Sequence, residues 1–253
     1  MRMKVFGIRT GKEVLRDPLS YIFCLGFPIV MLLIMTLVNA AIPAEANMTL
    51  FSSIKLVPGI AGFGLTFVML FTCLQISKDR GGSFMIRLYA SPMKSADFIG
   101  GYTIPMLIIA MAQVTVSVMA GMIVMLIKGE SIQFLNSLIT IPVLIPSALL
   151  FIAFGLLFGS SLNEKAAPGI CSIIITASCM LGGIFMDVDA LTGGFKAVCR
   201  ALPFYHGIDA ARKAFSGEFS GLWTPLAIVS IYAFVIYLLA VFVFHKKMQS
   251  DKK

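Results

Sequence analysis

The sequence predicts an all-α integral membrane protein of six transmembrane helices, and three observations carry that reading. Of 253 residues, 58% are hydrophobic and 13% charged, whereas soluble domains carry about 25% charged residues. Six apolar runs, at about 19–41, 56–76, 102–127, 138–159, 166–186 and 222–244, meet the length of about 20 residues that crosses a hydrocarbon core of about 30 Å. The third observation is charge asymmetry. With a cytoplasmic N-terminus, fourteen of the 20 lysines and arginines fall in the inner connections and six in the outer ones, the bias that orients membrane proteins.

Both termini are therefore expected in the cytoplasm. The net charge of +8 reads as a topogenic and lipid-headgroup feature. Nucleic-acid binding would need a basic face on a folded domain, and the spans and their connections leave no room for one. The chain is expected to be a single transmembrane domain, residues 1–253. The first run begins near residue 19 and no small-residue cleavage site follows it, so a cleaved signal peptide is not expected.

The elements follow in order. Within residues 1–17, Met1, Val5, Ile8 and Leu15 fall in an arc of about 80° on a helix. Lys12 intrudes and can snorkel, so the segment reads as an interfacial helix on the inner leaflet. Pro18 suits the first turn of the first span. Between spans two and three lies "SKDRGGSFMIRLYASPMKSADFIGG", with Lys78, Asp79, Arg80, Arg87, Lys94 and Asp97. Each ionised residue at the bilayer centre costs roughly 2.5–3.5 kcal/mol, which places this segment in the cytoplasm. Residues 83–90 suit a short helix, bounded by Gly81–Gly82 and by Ser91–Pro92, which would stop it.

The fourth span contains "GLLFG" (Gly155 to Gly159), a spacing that lets helices approach closely. Before the sixth span, two short helical patterns at about 195–202 and 205–215 flank Pro203. Neither is long enough to cross, and a re-entrant helical hairpin in the outer leaflet, shielded by protein, satisfies their backbone.

No catalytic or metal site is visible. "GIRTGKE" (Gly7 to Glu13) has three residues between its glycines, not four, and Glu13 follows the lysine, so it is not a nucleotide-binding loop. No nucleophile elbow or zinc-binding helix appears. His206 and His245 read as surface or headgroup-level residues, and Asp187 and Asp189 as solvated carboxylates. Cys24, Cys73, Cys171 and Cys179 lie in spans and only Cys199 lies in an outer connection, so no disulfide framework is indicated.

Polar faces are more informative. Ser172, Thr176, Cys179 and Gly183 recur on one face of the fifth run, as Gln113, Ser117 and Gly121 do on the third. Helix packing is the commoner reason for any one such face. The candidate substrate pathway is that of Ser172, Thr176, Cys179 and Gly183, with Gln113 on a neighbouring span.

This plan of an interfacial helix, six spans, a charged inner segment and an outer hairpin resembles the permease subunits of ABC type-2 exporters. The resemblance covers essentially the whole chain and is most specific in "DRGGSFMIRLYASP" (Asp79 to Pro92) and "RALPFYHGIDAARKAF" (Arg200 to Phe215). It implies that the inner segment is a coupling helix docking on a cytoplasmic ATPase subunit. Asp79, Arg80 and Arg87 would supply its polar contacts, and Phe84, Leu88 and Tyr89 its apolar part. ATP and Mg would be bound by that partner, with no cofactor in this chain. Six spans are too few to surround a sizeable substrate, so a second permease subunit is implied, identical or similar.

The expected protein sits in a bacterial cell membrane and exports a hydrophobic or amphipathic small molecule, drug or peptide. A lipid or lipid-linked glycan is the alternative cargo, although the single tryptophan, Trp223, offers no ladder for stacking sugars. A secondary transporter or channel would need intramembrane charges facing a pathway, which the six runs lack. A non-transporting scaffold would need no ATPase contact.

Overall fold

The computed structural model describes residues 2–18, 22–43, 50–82 and 95–250. These are helical with no strand among them. Helix α1 (Arg2–Arg16) leads to a π-helical turn (Ile22–Gly26) that continues into α2 (Phe27–Ala41). Then follow α3 (Ser53–Gly81), α4 (Ser95–Ile127), α5 (Phe134–Val143) and α6 (Ile145–Ser161). The chain ends with α7 (Ala167–Leu181), α8 (Gly193–Ala201), α9 (Pro203–Ser216) and α10 (Trp223–Ser250).

Helix α3 forms the centre of the bundle. It packs against α2, α4, α6, α7 and α9, while α10 packs on α6 and α9. Buried residues cover almost its whole circumference, from Leu56 and Val57 to Cys73 and Ile76, as befits a helix that is apolar all round. The outer helices α2 and α10 instead expose Leu33, Leu37, Phe234 and Phe242.

Helix α1 has two faces. Val5, Ile8 and Leu15 are exposed, as a lipid-facing arc requires, and the opposite face buries Phe6, Thr10 and Val14. Phe6 packs edge-on against Phe98 and Tyr102 of α4, at 5.5 and 5.0 Å between ring centroids.

Five helical stretches among the described residues are long and apolar enough to cross a membrane: Ile22–Ala41, Ser53–Gly81, Asp97–Ile127, Phe134–Ser161 and Phe219–Lys247. The run expected at 166–186 forms a helix of only 15 residues, about 22 Å long at 1.5 Å per residue. It ends because Gly183 adopts φ +77°, a left-handed conformation that glycine takes without steric cost. Gly183 therefore lies in the turn beyond α7, not on the helical face of Ser172 and Thr176. The fourth span is also divided: Pro142 and Pro146 flank a break at Leu144 between α5 and α6, since proline removes a helical hydrogen bond. The two short helices expected around Pro203 are present: α8 and α9 meet at an extended Leu202 (ψ 149°), the conformation favoured before proline.

Glycines let α6 lie against α3. A Cβ on Gly155 would sit 2.6 Å from the Thr72 Cβ and 2.7 Å from the Met69 carbonyl oxygen, and one on Gly159 would sit 2.8 Å from the Cys73 carbonyl. Backbone atoms cannot rotate away. Gly155→Leu is thus expected to force the helices apart at a cost of roughly 1–3 kcal/mol, read as a lower thermal midpoint of the detergent-solubilised protein. An unchanged midpoint would show that this contact is dispensable.

Candidate functional site

Two polar clusters mark opposite ends of α3. At its C-terminal end, Asp79 turns inward, with its side chain 7% exposed. Its Oδ2 accepts hydrogen bonds from the Tyr102 hydroxyl at 2.7 Å and from Gln75 Nε2 at 3.4 Å, and Arg9 Nη2 lies 3.5 Å from Oδ1. Gln75 Nε2 also donates to Glu13 Oε2 at 3.0 Å, and Arg9 pairs with Glu13. Helices α1, α3 and α4 are thereby joined through one buried carboxylate.

The next residue, Arg80, turns to α6. Its Nη1 and the Ser77 hydroxyl both donate to the Gly159 carbonyl at 3.4 Å. The helix runs four residues past Ser77, the expected start of the charged segment, because Lys78 and Arg80 suit the negative end of a helix dipole. Asp79 and Arg80 are therefore the last turn of a span and bond within this chain. Two open recesses of about 470 and 590 Å³ flank that turn, the first lined by Glu13, Gln75 and Lys78, the second by Arg80, Asn163 and Lys165. Phe84, Arg87, Leu88 and Tyr89 lie outside the described residues.

At the other end of α3, the hairpin is bound by charge. Asp189 Oδ1 accepts from the Tyr205 hydroxyl at 2.9 Å and Arg200 Nη2 at 3.1 Å, and Lys196 Nζ donates to the Asp189 carbonyl at 2.7 Å. Asp187 accepts from the backbone N–H groups of Asp189 and Ala190. Arg212 of α9 donates from Nε to the Lys55 carbonyl (3.2 Å) and from Nη2 to the Gly183 carbonyl (2.8 Å). His206 Nε2 lies 2.7 Å from the Arg200 carbonyl oxygen. Asp189 is thus a structural hub, not merely a solvated carboxylate.

Burial pushes the Asp189 carboxyl up, but hydrogen bonds from Tyr205 and Arg200 outweigh it and hold it below its ordinary 3.8. Burial and the bond to Asp189 push the Tyr205 phenol up to about 12. A depressed carboxylate contributes stability that is present above its ordinary pKa and lost as pH falls through the lowered one. A raised phenol contributes stability present below its ordinary 10.0 and lost as pH rises through the raised value. The hairpin is therefore expected to hold between about pH 4 and pH 10 and to loosen as pH falls below the first or rises above the second. Cys199, fully buried beside Val188 and Tyr205, reports it. In a variant retaining only that cysteine, reaction with 4,4′-dithiodipyridine, which proceeds in acid, should accelerate below about pH 4. A flat rate would detach the Asp189 cluster from hairpin closure.

The proposed pathway residues separate. Ser172 and Thr176 are exposed on α7, their hydroxyls bonded to the Pro168 and Ser172 carbonyls, whereas Cys179 is buried. Gln113 is 0% exposed and enclosed between α4 and α3. It donates to Ser117 Oγ at 2.9 Å and to the Ala61 carbonyl at 3.3 Å, over Gly64, where a Cβ would collide with its amide. Gln113 and the α7 hydroxyls do not form one lining.

Among the described residues, no group of three or more histidines, cysteines or carboxylates is gathered that could hold a metal ion. The family model for ABC-2 type transporters matches residues 2–216. The chain belongs to the ABC-2 type transporter family. A curated relative, the "Putative transport permease YvfS" of Bacillus subtilis (strain 168), is 24% identical over 245 residues, covering 93% of this chain and 94% of that protein. With its apolar helices, the ABC-2 chain is a multi-pass membrane protein. Sequence reading missed Arg9, Glu13, Gln75 and Tyr102 as members of one cluster, and it missed Arg212. The available signals were Glu13 within a basic segment and an arginine within an apolar hairpin.

Proposed function

We propose that this ABC-2 chain is the permease subunit of an ATP-driven exporter, with the Asp79 end of the bundle and both termini in the cytoplasm. A separate ATPase subunit would bind ATP and Mg there and dock on the segment between α3 and α4. The observation that supports this reading is the buried Asp79 cluster, which ties α1, α3 and α4 together immediately before that segment. A push from a docked ATPase would then reach three helices at once. In this reading Arg87, Phe84, Leu88 and Tyr89 meet the ATPase, while Asp79 and Arg80 anchor the segment. Two permease subunits would face each other across the exposed Ser172 and Thr176, passing a hydrophobic or amphipathic molecule towards the hairpin.

The test is co-expression with a candidate ABC ATPase subunit, then purification and reconstitution. The two should co-purify, and transport should require ATP hydrolysis. Arg87→Glu should insert normally yet uncouple hydrolysis from transport, because charge reversal at a partly desolvated contact can cost several kcal/mol. Transport by the permease alone would overturn the proposal.

A further inference from the structure

We propose that the groove between α1 and α4 is a binding site for an anionic phospholipid. Its shape follows from small residues. Gly7 and Gly11, one turn apart, face Gly101 and Pro105: a Cβ on Gly7 would lie 3.5 Å from the Gly101 carbonyl oxygen, and one on Gly11 3.7 Å from the Pro105 Cβ. The helices meet almost backbone to backbone there, and their larger side chains diverge on either side. The result is an open groove of about 580 Å³.

The groove wall is apolar. Ile8 and Leu15 of α1 face Ile104 and Ile108 of α4, the last two 49% and 66% exposed. Lys4 and Lys12 also line it, and both are exposed. Eight residues separate them, about 12 Å along the helix, so they border the groove on either side of Ile8. Neither ammonium is paired with a carboxylate among the described residues.

Two unpaired cations above an apolar trough match a phosphate joined to an acyl chain. An aliphatic drug would leave the lysines without a counter-ion, and a second copy of α1 would bring like charges together. The lipid would act as a third wall, holding α1 on α4 and so supporting the side of α1 that carries Arg9 and Glu13. The inference rests on membrane insertion alone and not on what the protein exports.

The test uses the full chain in vesicles, with Trp223→Phe removing the only native indole and Ile108→Trp placing a reporter in the groove; Ile104→Trp is the second position. Quenching is compared between brominated phosphatidylglycerol and brominated phosphatidylcholine. The anionic lipid should be preferred roughly thirtyfold, from two lysines at about 1 kcal/mol each. Lys4→Gln with Lys12→Gln should bring the ratio close to one, and Lys246→Gln with Lys247→Gln, an equal loss of charge elsewhere, should leave it. Equal quenching by the two lipids in the reporter chain would overturn the proposal. So would an equal loss of preference in both double variants, which would mark a diffuse surface charge.

Discussion

Asp79→Ala is expected to destabilise the protein by roughly 3 kcal/mol, the lower end of what removing one partner of a buried ion pair costs. The lower end applies because Arg9 is 32% exposed and keeps Glu13 beside it. The substitution also strips the fully buried Tyr102 hydroxyl of its acceptor at 2.7 Å, and an unsatisfied buried donor carries its full desolvation cost. Tyr102→Phe removes the same bond from the other side and should cost less, since water can reach Asp79 from the adjoining recess. The measurement is the thermal midpoint of the solubilised protein, with Asp79→Leu combined with Arg9→Met. Replacing both charges should recover much of the loss, because the penalty comes from a charge left without its partner. A small effect of Asp79→Ala would reduce the cluster to a surface contact.

That cluster also shows where sequence reading stops. The apolar runs were legible because a bilayer imposes a length, and the hairpin because Pro203 divides two short periodic segments. Close packing at Gly155 and Gly159 was legible from their spacing. The helix ends were not. Residues 77–81 and 95–101 are polar enough to resemble a loop, yet they are helical because Asp79 meets Tyr102 and Arg80 meets Gly159. Such pairings between distant positions leave no local periodicity. Gln113 illustrates the same limit: its polarity suggested a pathway, whereas its partners are Ser117 and the backbone of α3. The break at Gly183 escaped notice because a glycine pair in an apolar run fits a helix interface as well as a helix end.

Arg212→Met is expected to release the hairpin from the bundle. The half-buried guanidinium reaches two carbonyls from different elements: Lys55 in the first turn of α3 and Gly183 in the turn after α7. It also passes beside Gly59, where a Cβ would be 3.6 Å from Nη2. Methionine keeps the apolar stem but loses both bonds. Hydrogen bonds to a charged group are worth about 1.5–3 kcal/mol each, so a loss of roughly 3 kcal/mol is expected after partial replacement by water. Arg212→Lys keeps the charge but not the planar fork, and one ammonium cannot reproduce two divergent bonds, so it should recover only part of the stability. Two readouts separate release from general unfolding. The buried Cys199 thiol should react faster in the single-cysteine background, while the Asp79 end keeps its thermal response to Asp79→Ala. If Arg212→Met lowered the midpoint yet left Cys199 as slow as before, Arg212 would support α3 and not close the hairpin.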